Sequence, residues 1–238
     1  YSGAGLGIAM GSVQRGEGAR KHRPSAAGTG QQQRLFSRVA GEAGCALELR
    51  TRLGPPAQLG QHLATYLGGA LERGEIKIQF MPIVHLEDRT IAGFETLIVW
   101  EHARHGKLTS AEFMPTAETA GFGEAIRLYA LERTAHELAT WQQVVDVDPP
   151  IFASVNMSSP RILRHEFLQD VKTVIARTGV LPHSLKLEFS ESVVMENPEH
   201  SVQIFNRLKD IGAGLSLDDF GTGYSALSYL QRLPFDMI

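Results

Sequence analysis

From about residue 75 onward, short runs rich in β-branched and aromatic residues alternate with stretches whose apolar positions recur at helical spacing. Strand-like runs fall at 76–80, 91–100, 151–156, 185–189 and 214–217. Between them, Ser110 is placed to cap a short helix through Glu118, Glu124 to Val144 reads as a long amphipathic helix, and Pro160 to Thr178 as another. A further helix, Pro198 to Ile211, opens with the proline favoured in a first turn. Such alternation predicts an α/β sheet or barrel with parallel strands. Ahead of it, Leu59, Leu63, Tyr66, Leu67, Ala70 and Leu71 share one helical face before Gly74, which marks an entry helix. Residues 1–56 carry no sustained period and are rich in Gly, Ser, Gln and Arg, as in GSVQRGEGARKHRPSAAGTGQQQR. They read as a poorly ordered low-complexity linker or the remnant of an upstream domain, and 57–238 as the folded domain.

Composition narrows the function classes. With 43% hydrophobic and 21% charged residues the chain can bury one substantial core. A formal net charge of -3 supplies no basic field that would draw it to polymeric nucleic acid or anionic lipid. The single cysteine, Cys45, excludes an internal disulfide and a cysteine-based zinc cluster, which suits a reducing cytosol. No stretch approaches the ~20 apolar residues of a membrane span, and YSGAGLGIAM lacks the pattern of a signal peptide. A cytoplasmic location and no membrane contact from this segment are expected, either alone or as the cytoplasmic part of a larger, membrane-attached protein. The chain begins with Tyr1 and stops at Ile238 without a polar tail, so it is read as a fragment.

Polar residues gather at the carboxyl ends of the strands. IFASVN ends in Asn156, LKLE in Glu188, and GLSLDD in Asp218 and Asp219, while Glu95 lies within IAGFETLIVW. In parallel α/β barrels that end of the strands is where active sites are built. Four carboxylates and an amide on one rim repel one another unless cations sit among them, and oxygen-only ligands suit Mg²⁺ or Mn²⁺. Any one of these acids alone is as well explained as a helix cap or a solvated loop residue. Gly221, Thr222 and Gly223 follow the Asp218-Asp219 doublet, and glycines there allow a sharp turn or the approach of a ligand to the backbone. His102 and His105 are not read as ligands, because their spacing does not give them a common face.

The run LSLDDFGTGYSALSYLQRLPFD, Leu215 to Asp236, resembles the DDFGTGYSSLSYL signature of EAL-domain phosphodiesterases, which act on cyclic di-GMP. SVNMS resembles the family's SVNLS, PIVHLEDRTIAGFETL its PIVDL…GFEAL with Glu95, Thr96 and Leu97 at the Glu-Ala-Leu position, and LKLEFSES its LELxxTES. The resemblance implies an α/β (β/α)8 TIM-like barrel of EAL type, incomplete here with about five of the strands. It implies that Glu95, Asn156, Glu188, Asp218 and Asp219 hold two Mg²⁺ or Mn²⁺ ions, that Asp219 and Glu95 take part in catalysis, and that Glu191 braces a loop over the site. Leu97, Phe220, Gly221, Thr222 and Tyr224 are the implied ligand-binding residues. Phe220 and Tyr224 offer either faces for a guanine or bulk for packing at the rim. The implied partner is cyclic di-GMP, the product linear pGpG in bacterial signal transduction, and a homodimer a state found in the family.

Departures from the pattern point the other way. Val99 stands where active members carry an arginine that forks onto a ligand phosphate, Met81 replaces a glutamine, and Ala103 a proline. Thr96 replaces alanine, and a β-branched hydroxyl beside Glu95 is expected to shift that strand. The pattern also predicts a lysine and further strands after Ile238, since a (β/α)8 barrel takes ~250 residues. A degenerate EAL domain that binds cyclic di-GMP or a protein partner without cleaving it is therefore the competing reading.

Overall fold

The computed structural model describes residues 63–157, 159, 165–221 and 232–238. The expected linker, the boundary at 57, the start of the helix at Pro160, and Thr222, Gly223 and Tyr224 lie outside the described residues. A helical turn over residues 63–67 leads into β1 (Ile76–Val84), β2 (Ile91–His102) and β3 (Gly106–Thr109). There follow α1 (Ser110–Thr119), α2 (Gly123–Val144), β4 (Phe152–Asn156), α3 (His165–Thr178), β5 (Leu185–Ser190), α4 (Glu191–Glu196), α5 (Pro198–Asp210) and β6 (Gly214–Asp218).

All five expected runs are strands. The sixth, β3, is four residues long, too short to show a period in the sequence. The strands form one open sheet in the order β1-β2-β4-β5-β6, with β3 paired to β2. β1 and β3 run antiparallel to β2, whereas β2, β4, β5 and β6 are mutually parallel. At the far edge, Met237 bridges Ser216 in parallel. The Asp236 carboxylate fastens that segment, accepting the Leu215 N–H at 2.8 Å and the Lys209 ammonium at 2.6 Å.

Successive side chains of a strand point to opposite faces, and in β2 the two faces differ sharply. Phe94, Thr96, Ile98, Trp100 and His102 face the helices and are all buried. Trp100 packs edge-on to Phe113 of α1 with centroids 5.7 Å apart, and its Nε1 donates to Glu75. Phe189 of β5 meets Phe205 of α5 at 4.7 Å. Burying each such aromatic contributes roughly 1.5–3 kcal/mol, which holds the helices to this face. Thr96 does not disturb the strand as expected. Its hydroxyl lies 3.0 Å from that of Thr134 on α2, so the extra polar group is satisfied on the helix side.

Two local signals read differently in the structure. The residue capping α1 is Thr109 rather than Ser110, and its N–H and Oγ1 both donate to the Glu112 carboxylate at 2.7 Å. α4 was not expected. Asn197 separates it from α5 and accepts the His200 N–H at 3.3 Å. No helix among the described residues is long and apolar enough to cross a membrane.

Gly93 of β2 lies tight against β4: a Cβ there would fall 2.6 Å from the Phe152 carbonyl oxygen and 2.7 Å from its ring. Gly93→Ala is expected to destabilise the fold by ~1–3 kcal/mol through overpacking. Urea unfolding checks this, and an unchanged midpoint would mean that β4 can move aside freely.

Candidate functional site

The inner face of the sheet carries the odd-numbered residues of β2, among them Gly93, Glu95, Leu97 and Val99. Register brings the other strands into line with them. Glu95 lies opposite Ser154, Asn156 opposite Glu188, Glu188 opposite Ser216, and Ser190 opposite Asp218. Glu95, Asn156, Glu188 and Asp218 therefore share one face toward the carboxyl ends of the parallel strands. Asn156 and Asp218 are exposed, and Glu95 and Glu188 are half-buried.

The carboxylates sense one another. Burial raises the pKa of Glu95, and the charge of Asp218 adds to the rise. Burial also pushes Glu188 up to about 7, assisted by the charges of Glu95 and Asp218. Ser154 opposes part of that rise, although its buried Oγ makes no hydrogen bond of regular geometry. As the side chains stand, no group of three or more His, Cys, Asp or Glu among the described residues is gathered closely enough to hold a metal ion.

Beyond β6 the chain turns abruptly. Asp219 has φ 57° and Gly221 φ 87°, both in the left-handed region, which is strained for the aspartate and unstrained for the glycine. The Asp219 N–H donates to Asp218 Oδ1 at 2.8 Å. Glu191, the first residue of α4, is 1% exposed, and its Oε2 accepts the Gly221 N–H at 2.7 Å. Phe220 is 47% exposed among the described residues. Thr222 and Tyr224, two of the expected ligand residues, lie outside the described residues.

Leu97 is half-buried on the inner face between Glu95 and Val99. Met81 sits opposite Glu95 on β1 and is 46% exposed. His102 belongs to the opposite, helix-facing side, where its Nδ1 accepts the N–H groups of Arg104 and His105 at 3.1 and 3.2 Å. It serves the turn into β3. Lys107 of β3, which attracts no notice in the sequence, donates to Gln79 Oε1 of β1 at 2.7 Å across the inner face. Only strand register, invisible in the sequence, could have revealed it.

Comparison with known proteins fits this geometry. The family model for the EAL domain matches residues 66–238. An uncharacterized protein of Mycobacterium tuberculosis is 36% identical over 177 residues, covering 74% of this chain and 57% of the relative. A bifunctional diguanylate cyclase/cyclic di-GMP phosphodiesterase, MucR of Pseudomonas aeruginosa, is 34% identical over 165 residues, covering 69% of this chain and 24% of MucR. The chain thus spans little more than half of the former relative and about a quarter of the latter. Among solved structures, the MucR phosphodiesterase in complex with c-di-GMP superposes with a TM-score of 0.68 at 33% identity, covering 73% of this chain and 70% of that one. The EAL domain of FimX from Pseudomonas aeruginosa, bound to c-di-GMP, shares the fold with a TM-score of 0.63 at 20% identity, over 73% of this chain and 68% of that one. With its parallel strands, its acidic rim and a family match over residues 66–238, this chain belongs to the EAL domain family.

Proposed function

We propose that this chain binds cyclic di-GMP across the carboxyl-terminal rim of its sheet and, with divalent cations, hydrolyses it to linear pGpG. The observation that carries the reading is the shared face of Glu95, Asn156, Glu188 and Asp218, where burial and like charge hold Glu188 near 7. Carboxylates whose pKa values are raised together on one face are candidates for a functional site. The similarity to the MucR phosphodiesterase supports the substrate.

The donor set fits a hard cation in its chemistry. It consists of carboxylate and amide oxygens alone, and a Mg²⁺ or Mn²⁺ ion would relieve the repulsion that raises Glu95 and Glu188. Glu95, Asn156, Glu188, Asp218 and Asp219 are the residues that would hold the ions after the side chains draw together. When bound, the cations would lower the pKa of water and offset the negative charge developing on the phosphoryl oxygens. Asp219, exposed at the rim, accepts the proton that water loses as it attacks phosphorus. One P–O3′ bond breaks, the 3′ oxygen gains a proton, and the second phosphodiester stays intact, which yields a 5′-phosphorylated linear dinucleotide.

The remaining residues position the ligand. Glu191 anchors the turn after Asp219 by its bond to Gly221. Phe220 presents an exposed ring against which a guanine stacks, while Leu97 supplies an apolar floor. Thr222 and Tyr224 complete the binding set, and the domain is taken to begin near residue 57. A second reading, binding without cleavage, is favoured by Val99 and Met81, apolar side chains on the inner face beside Glu95.

Incubation with cyclic di-GMP and Mg²⁺ or Mn²⁺, with products separated by ion exchange, tests the proposal. Linear pGpG is expected, with at least a ~100-fold fall in rate for Glu95→Gln. Binding of cyclic di-GMP without product would make the chain a receptor.

A thermal measurement tests the cation site separately. Because the folded-state pKa of Glu188, about 7, lies above its ordinary value of 4.5, the folded chain holds the proton more tightly than the unfolded one. Stability from this group is therefore fully present below the ordinary value and is lost as pH rises through 7, by roughly 3 kcal/mol. In chelator, Tm is expected to fall from pH 5 to pH 8, and less steeply in Glu188→Gln. Mg²⁺ or Mn²⁺ should raise Tm at pH 8, and a Tm indifferent to both ions would count against the metal site.

A further inference from the structure

Val99 lies on the inner face yet is only 4% exposed. Strand register shows what passes over it. Val99 stands opposite Lys77 of β1 on one side and Thr109 of β3 on the other. Lys107 stands opposite Glu101, one inward-facing position further along β2, and Gln79 opposite Leu97, one such position back. The hydrogen bond from Lys107 Nζ to Gln79 Oε1, 2.7 Å long, therefore runs diagonally across β2 above Val99. A long side chain at position 99 would stand in its way. The small, apolar Val99 leaves the path open.

Lys107 stands opposite the exposed Glu101 of β2 but forms no ion pair with it. An ammonium has three donor hydrogens, and this one spends one of them on a neutral amide. Among the described residues neither Lys107 nor Lys77 makes an ion pair. Lys77 is exposed, directly across from Val99. Two cations thus flank Val99 on the face that also carries Glu101, opposite Lys107, and, toward the rim, Glu95, Glu188 and Asp218. A tethered ammonium with free donors, beside an apolar floor and near a carboxylate rim, suits an anion whose other side approaches the rim.

We infer that Lys107, held in place by Gln79 and seconded by Lys77, binds a phosphate oxygen of the cyclic dinucleotide above Val99. The inference rests on the function proposed above and names the contact through which this chain holds its ligand. The anion recognised is a phosphodiester, and the ammonium acts on it as a point charge rather than as a planar fork.

Isothermal titration of the whole chain with cyclic di-GMP in chelator, where turnover is suppressed, tests it. Lys107→Met keeps the stem and removes the charge. It is expected to weaken binding about 10- to 100-fold, the scale of a charge-assisted hydrogen bond, with Tm unchanged. Lys107→Arg should bind nearly as the parent does. In Lys107→Met the second change Val99→Arg should recover affinity, while Val99→Arg alone, competing with Lys107 for one space, should gain much less. Binding by the parent and by Lys107→Met with equal affinity would overturn the inference and leave the functional proposal standing. No binding by the parent would overturn the proposal, and the inference with it.

Discussion

The pleat of β2 decides what the rest of the molecule can be. Its even-numbered side chains Phe94 and Trp100 are fully buried on the helix side, and its odd-numbered ones, Glu95 foremost, point to the opposite face of the sheet. A slip of one residue would expose two large aromatics and drive a carboxylate among the helices. Each exposed aromatic would forfeit a few kcal/mol, and an unpaired buried charge would cost more. Register is thus set by the apolar face, and the positions of the polar groups follow. Glu95 stands opposite Ser154 and Asn156 opposite Glu188 because Phe94 and Val155 must be buried.

On the inner face the balance is electrostatic. Burial and the charges of Glu95 and Asp218 push Glu188 up to about 7, so it gives up its proton less readily than a free carboxylate. The strain of Asp219 in the left-handed region belongs to the same economy of charge. It turns the chain at the rim so that Asp218 accepts its neighbour's N–H and Glu191 receives that of Gly221. A buried carboxylate on a backbone N–H fixes the turn from below, while Phe220 stays exposed above it. A local arrangement that costs roughly a kcal/mol or more persists because two carboxylates hold it.

Much of this was legible in the sequence, and the exceptions have physical reasons. Long runs such as Ile91–His102 and Gly123–Val144 declare themselves, because a strand or helix of that length repeats its burial pattern several times. Asn156 and Asp218 were legible because each ends a strand, whereas Glu95 and Glu188 lie within theirs and join the same face only through strand register. The four-residue β3 was not, since one repeat is no period, nor was Thr109 as a cap, because a neighbouring serine offered the same chemistry one position later. Thr96 was read as a disturbance beside Glu95. The sequence holds no sign of Thr134, 38 residues away, which accepts or donates the bond that absorbs it.

Val99 shows the limit of reading positions one at a time. In sequence it is a loss, an apolar residue where a cation is expected. In space the position is part of a surface to which three strands contribute, and the neighbours across the ladder are Lys77 on one strand and Lys107, diagonally, on the other. Diagonal neighbours on a sheet lie within reach of a long side chain, so charge removed from one strand can be supplied by the next without any change in the rim itself. The length of lysine, the smallness of valine and the amide of Gln79 are then a single arrangement, and each would be unremarkable without the others.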